Sequence, residues 1–231
     1  GRVVNSILML LATNVSFSNS ILIISALAGK KEKNWLLPNG RQILENDKMK
    51  KFIISDRSKI TIENLGDSDD NRILSYLPLA HVFERAWVGA SSFVLGKTHV
   101  YFAESLDTFI QDLNRAKPTM FISVPRLWLK FQQGVFSKLP PAKLNVLLSI
   151  PLLGGVVRKK ILKGLGLDHV ILAGSGSAPI PAELIVWYRK LGLNLLEGYA
   201  MTEDFAYSHN STPQINAPGC VGVPLEGVQA R

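Results

Sequence analysis

The chain has 231 residues, of which 47% are hydrophobic and 19% charged, and a formal net charge of +8. That length suffices for one large domain or two small ones, and the composition can bury a core and excludes a disordered chain. Residues 1–65 hold 10 of the 26 basic groups and 5 of the 18 acidic ones, so the rest is only mildly basic, with no arginine-rich stripe to track a nucleic acid.

The apolar stretch from Val3 to Leu27 begins with Arg2 and contains Ile7-Leu8-Met9-Leu10-Leu11-Ala12, like the core of a signal segment. Asn14, Ser16, Ser18, Asn19 and Ser20 interrupt it before it reaches the roughly 18–20 apolar residues of a membrane span, so a buried helix or strand is expected. The chain starts at Gly1 rather than Met, as an excised piece would. Residues 30–60 are lysine-rich and irregular, with a turn at Pro38-Asn39-Gly40 and a strand pair expected around Asp56-Arg57-Ser58.

Regular text begins near Glu63. Gly66 to Asn71 is a polar loop, and Ile73 to Leu77 reads as a buried strand. His81 to Leu95 places Val82, Phe83, Ala86, Trp87, Ala90, Phe93 and Val94 at helical spacing, closed by Gly96. Val100-Tyr101-Phe102 is a strand. Ser105 is expected to cap a helix with the apolar face Leu106, Phe109, Ile110 and Leu113, which Lys117-Pro118 stops. Met120-Phe121-Ile122 is a strand, and Pro125 starts a helix.

Residues 125–163 read as helical pieces broken by Pro140-Pro141, Pro151 and Gly154-Gly155. Val170-Ile171-Leu172 is a strand, Pro181 to Leu191 a helix, and Leu193 to Leu196 a strand. The tail from Gln214 reads as turns with short strands. Strands thus alternate with helices from residue 70 to 200, which predicts an α/β fold: a mostly parallel sheet covered by helices on both faces, with a turn-rich C-terminal end.

Two polar loops follow neighbouring strands. One is Gly174-Ser175-Gly176-Ser177-Ala178-Pro179. The other is Glu197-Gly198-Tyr199-Ala200-Met201-Thr202-Glu203-Asp204, which brings a glycine, a ring, a hydroxyl and a carboxylate within six residues. Such a set can hold a nucleotide, with the ring against the base, the hydroxyl on phosphate and the carboxylate on Mg²⁺. Open α/β sheets bind ligands at such loops. The remaining polar groups read more plainly. Glu84-Arg85 is a solvated or ion-paired helix edge, and Arg158-Lys159-Lys160 with Lys163 a solvated helix face, although phosphate or anionic lipid also fits that charge. Trp87, Trp128 and Trp187 are core. His99, His169 and His209 lack metal-ligand spacing. The single cysteine, Cys220, excludes an internal disulfide, fits a reducing compartment, and has no catalytic partner pattern around it.

Four segments resemble one family in order and spacing: Ile73-Leu74-Ser75-Tyr76-Leu77-Pro78-Leu79-Ala80-His81-Val82-Phe83-Glu84-Arg85, the loop Gly174 to Pro181, Gly198-Tyr199-Ala200-Met201-Thr202-Glu203, and Gly219 to Val228. The family is the long-chain acyl-CoA synthetases of the adenylate-forming, AMP-binding enzymes, and the similarity runs from about Glu63 to Arg231. The resemblance implies that a fatty carboxylate attacks ATP to give an acyl-adenylate, which CoA then converts to a thioester. It assigns Mg²⁺ to Glu203, the α-phosphate to Thr202 and adenine to Tyr199, with Glu197, Gly198, Ala200 and Met201 in the same nucleotide-contacting run. Gly174, Ser175, Gly176, Ser177, Ala178 and Pro179 would form the wall between adenine and acyl chain. His81 would lie by the reacting carboxylate and Trp87 along the acyl tunnel.

The partners implied are fatty acid, ATP and CoA, in a cytoplasmic protein; peripheral membrane contact and a homodimer stay open. Ala200 stands where the family has glycine, at a cost of roughly 1 kcal/mol if that backbone needs positive φ. Residues 1–62 show no phosphate loop of the family kind and are left unassigned. Residues 63–231 read as the incomplete middle of an adenylation domain that ends before the C-terminal lysine domain. A non-catalytic nucleotide- or acyl-binding fragment and an aryl- or amino-acid-adenylating enzyme are the alternatives. A dinucleotide fold fails because Pro179 stands at its third glycine, and no Gly-x-Ser-x-Gly spans residues 173–178.

Overall fold

A computed structural model describes residues 70–90, 92 and 98–230; the expectations for residues 1–69 and for Gly96 lie outside them. Strands β1 (Asn71–Ser75), β2 (Thr98–Phe102), β3 (Met120–Ser123), β4 (Leu172–Ser175), β5 (Leu195–Tyr199), β6 (His209–Asn210) and β7 (Val223–Pro224) form one sheet in the order β2-β1-β3-β4-β5-β6-β7. The first five are parallel; β6 and β7 add an antiparallel edge. A π-helical turn, Glu84–Ala90, joins β1 to β2. The helices are α1 (Phe109–Ala116), α2 (Pro125–Lys138), α3 (Pro141–Ser149), α4 (Leu153–Leu165) and α5 (Ala182–Lys190). Among the described residues, no helix is long and apolar enough to cross a membrane.

Alternation along the strands divides the core in two. Leu74, Phe121, Ala173 and Leu195 point into a large cluster filled by Phe109, Leu113, Trp128, Phe131, Leu144, Leu184, Ile185 and Tyr188. Their neighbours Ile73, Met120, Leu172 and Leu196 point the other way, against Val88 of the π-helical turn and Phe83 just before it. The two faces follow from chain direction. The chain leaves β1 toward β2 on one side, then returns past β1 to β3, β4 and β5. Right-handed crossovers in opposite directions must lie on opposite faces of a sheet. The point where the direction reverses, beyond the C-terminal ends of β1 and β3, is where such sheets open a crevice.

Trp128 pins α2 and α5 to the sheet. It is fully buried, its indole Nε1 donates to the Gly174 carbonyl at 3.1 Å, and Tyr188 donates its hydroxyl to the Trp128 carbonyl at 2.7 Å. Trp87 and Trp187 are buried too. Burial pushes the Tyr188 phenol far above its ordinary range.

Several local expectations are corrected. α1 begins at Phe109, not Ser105; Ser105 and Thr108 hydrogen-bond each other ahead of it, Leu106 is exposed, and the buried face is Phe109, Asp112, Leu113 and Ala116. Gly154 and Gly155 lie within α4 rather than breaking it. A Cβ on Gly154 would stand 2.6 Å from the Leu148 carbonyl oxygen, so glycine is what lets α4 cross α3 so closely. Strands β4 and β5 each run two to three residues beyond their apolar cores, into segments read as loops: Gly174 and Ser175 are strand, as are Glu197, Gly198 and Tyr199.

Candidate functional site

A cleft open at its mouth lies over β3, β4 and β5, next to the segment that follows β1. Its lining mixes apolar side chains, Leu77, Val82, Phe83, Trp87, Leu172 and Leu196, with polar residues, Ser123, Ser175, Ser177, Glu197, His209 and Asn210. Ala173, Gly174, Gly176, Gly198, Tyr199 and Ala200 also line it. Gly174 is small because Ile122 of β3 is its neighbour, with only 3.1 Å from a Cβ to that side chain. A Cβ on Gly176 would meet the Gly198 carbonyl at 3.4 Å. A side chain at Gly174 would press on β3, and one at Gly176 would meet β5.

The Ser175 hydroxyl is buried and, among the described residues, has no hydrogen-bond partner. A buried unpaired hydroxyl in a cleft wall is a group in want of a ligand. Two residues on, Ser177 takes φ 69, a left-handed conformation that costs a non-glycine residue roughly 1 kcal/mol. Its Oγ stands 3.5 Å from His81 Nε2. The His81 Nδ1 accepts the Phe83 backbone N–H at 3.3 Å, so in the neutral ring Nε2 bears the proton and aims at Ser177. His81 therefore caps the helical turn after it and also reaches the cleft rim.

Glu197 is buried; its Oε2 accepts the Gly219 N–H at 2.8 Å, and its carbonyl accepts the Ser211 N–H at 2.8 Å. It ties β5 to the C-terminal turns. Tyr199 is half exposed, its ring centroid 6.2 Å from that of His209, which leaves one aromatic face open at the mouth. Ala200 is not among the residues with positive φ, so alanine carries no backbone penalty there. Met201, Thr202 and Glu203 are exposed on a turn outside the cleft lining. Asp204 braces that turn by accepting the Met201 and Tyr207 N–H groups at 2.9 and 3.1 Å. Ala178 and Pro179 also lie outside the lining. Trp87 lines the cleft and donates its indole N–H to the Ala206 carbonyl at 3.3 Å.

Glu84 departs most from the sequence reading. It is not a solvated edge: it is 1% exposed and accepts a short hydrogen bond from the Ser75 hydroxyl. Burial lifts its carboxyl to about 7, opposed by the bonds from Ser75 and the Leu77 backbone. Arg85 instead donates to the Leu79 carbonyl. Tyr76, next to Ser75, gives its hydroxyl to Ser123 of the cleft wall at 2.7 Å; burial raises its phenol to about 12. Sequence reasoning missed the roles of Glu84, Ser123, His209 and Asn210, since no motif or spacing in the sequence marks them.

The model of the AMP-binding enzyme family matches residues 50–231. The chain belongs to that family. Curated relatives are similar at modest identity. Long chain acyl-CoA synthetase 5 of Arabidopsis thaliana is 27% identical over 79% of this chain and 32% of its own length. Long-chain-fatty-acid–CoA ligase 1 of Homo sapiens is 29% identical over 75% of this chain and 28% of its own. The chain thus spans about a third of the length of these relatives. Among solved structures, o-succinylbenzoate CoA synthetase of Bacillus subtilis with its acyl-adenylate is 20% identical with TM-score 0.53, over 75% of this chain and 31% of that one. The anthranilate CoA ligase AuaEII with anthranoyl-AMP gives TM-score 0.53 at 20% identity, over 77% of this chain and 30% of that one. These structures share the α/β fold of the chain.

Proposed function

We propose that the chain is the nucleotide- and acyl-holding part of an ATP-dependent long-chain fatty acid–CoA ligase. The observation that supports this reading is the mixed lining of the cleft: aliphatic and aromatic side chains suited to an acyl chain together with hydroxyls suited to phosphate, and His81 within 3.5 Å of the lining residue Ser177. The names of the curated relatives support the same substrate class.

In the reaction proposed, a fatty carboxylate oxygen bonds to the α-phosphorus of ATP and pyrophosphate leaves. The CoA sulfur then bonds to the acyl carbon and AMP leaves. The chain's residues would act by holding and polarising. Tyr199 offers its open face to adenine, and Gly174, Gly176 and Gly198 keep the cleft clear for the nucleotide. The Ser175 hydroxyl donates to a ligand oxygen, and Thr202 supplies a hydroxyl to phosphate. His81 donates from Nε2 toward the carboxylate, and Trp87 and Phe83 exclude water from the acyl side.

Glu203 makes no hydrogen bond or ion pair among the described residues, and no group of three or more His, Cys, Asp or Glu is gathered there to hold a metal. One free carboxylate fits Mg²⁺, which commonly takes one or two carboxylates and draws its other ligands from water and phosphates. When bound, Mg²⁺ would neutralise charge on the phosphates.

ATP–pyrophosphate exchange with palmitate and Mg²⁺ tests the reading. Palmitate-dependent exchange that disappears in Glu203→Ala is expected. AMP binding without exchange would reduce the chain to a nucleotide-binding unit, and a chain that binds no AMP would overturn the proposal.

A further inference from the structure

Helices α2 to α4 concentrate charge of one sign. Residues 125–167 hold eight Lys and Arg and no Asp or Glu, which equals the net +8 of the whole chain. The same unit exposes aliphatic side chains at one end. Leu152, in the turn between α3 and α4, is 92% exposed, Val156 64% and Val146 61%, with Ile150 and Leu153 also exposed.

The turn that presents them is built at a cost. Leu152 has φ 64 and ψ −51, and the Leu153 N–H reaches back to the Pro151 carbonyl at 2.7 Å. This is a three-residue turn of the positive-φ kind, rare and strained for a residue with a side chain. The hairpin below is held by the Gly154 N–H on the Ile150 carbonyl at 2.9 Å and by the close crossing at Leu148. A strained backbone thus holds a leucine out in water, where it gains nothing from the core.

Both helices carry the same gradient. On α4, Leu152 and Val156 share a face with Lys159, Lys160 and Lys163 at helical spacing, and all three lysines are exposed. On α3, Ile150 and Val146 share a face with exposed Lys143. From Val156 to Lys160 the rise is about 6 Å. Aliphatic tips with cations one turn behind match a bilayer surface, where apolar groups sink roughly 5–10 Å and lysines reach the phosphates.

We propose that the α3–α4 hairpin docks the protein on an anionic phospholipid surface, with the Ile150–Leu153 tip in the acyl boundary and the lysines behind it on lipid phosphates. Charge favours this occupant over a second copy of the chain. A second copy would bring two acid-free cationic units together. The uncharged stretch Val3–Leu27 as the occupant is an outcome of the test, since a tip covered by it would leave the full chain without vesicle binding. A nucleic acid would leave an aliphatic tip, with no aromatic ring on it, unused. The inference is independent of the reaction proposed above.

Flotation of the full chain with vesicles tests it. Binding to phosphatidylcholine containing about 30% phosphatidylglycerol, and much weaker binding to phosphatidylcholine alone, is expected. Leu152→Glu should lower partitioning at least about tenfold, and Lys159→Glu/Lys160→Glu should do so mainly on the anionic vesicles. Leu106→Glu, an equally exposed leucine ahead of α1, should change nothing. Matching thermal unfolding of the variants shows that the fold is intact. Absent binding, or equal binding by Leu152→Glu, overturns the proposal. So does a change of oligomeric state in Leu152→Glu without loss of vesicle binding, or retention of an RNA oligonucleotide that depends on the lysines but not on Leu152.

Discussion

Replacing Glu84 by Gln tests whether the carboxyl behind the cleft is held neutral by burial. The carboxyl rises from an ordinary 4.5 to about 7 in the folded chain. The folded state therefore binds this proton more tightly than the unfolded state. Its contribution is fully present below about 4.5 and is lost as pH rises through about 7. Between pH 5 and pH 8 the loss integrates to about 2–3 kcal/mol, at about 1.4 kcal/mol per unit of difference. Gln keeps the size and hydrogen-bonding capacity of the neutral acid and cannot ionise. Urea unfolding of both proteins at the two pH values isolates the effect, because every other titrating group is common to both. The stability of Glu84→Gln relative to the parent should rise by about 2–3 kcal/mol from pH 5 to pH 8, with unchanged m-values. Curves that stay parallel within about 0.5 kcal/mol would refute the reasoning.

Three further outcomes follow from the site. Trp128→Phe leaves the Gly174 carbonyl without its donor, so it should cost about 1–3 kcal/mol in chemical unfolding and weaken AMP binding through the displaced β4 edge. Asp204→Ala removes both braces of the Thr202–Glu203 turn; calorimetry should show weaker Mg²⁺–ATP binding with about 1 kcal/mol lost in stability. Gly222→Ala would place a Cβ into the Asn210 backbone at φ +85, and should destabilise the chain by more than about 1 kcal/mol, read as a lower melting temperature.

Local patterning made much of the fold legible. The helical spacing around Phe109, Leu113 and Trp128 and the short β-rich run Met120–Ile122 are signals a chain must show when half its surface is buried. The strand ends were hidden because propensity and packing disagree there. Gly174 is a poor strand residue, yet a Cβ there would crowd the Ile122 side chain at 3.1 Å. Glu197 reads as a loop residue, but its carboxylate is satisfied by the Gly219 N–H from 22 residues away. Leu106 fits an apolar stripe by spacing and is exposed because the helix starts three residues later, at Phe109. Glu84 reads as a solvated or ion-paired helix edge because Arg85 follows it. Its partner is Ser75 at the end of β1, a contact made by topology rather than periodicity. The cleft residues Gly174 to Ser177 and Tyr199 were readable from glycine, hydroxyl and ring spacing. His209 and Asn210, on a two-residue strand, carry no such signal.

The central claim is that the crevice between β3, β4 and β5 holds an acyl-adenylate. A crystal structure of the chain with a non-hydrolysable palmitoyl-adenylate analogue tests it most directly. The account predicts adenine against Tyr199, a phosphate-side oxygen on the Ser175 hydroxyl, and the acyl chain along Phe83 and Trp87. An analogue bound elsewhere, or a cleft in which Ser175 stays unpaired while the ligand is bound, would contradict it.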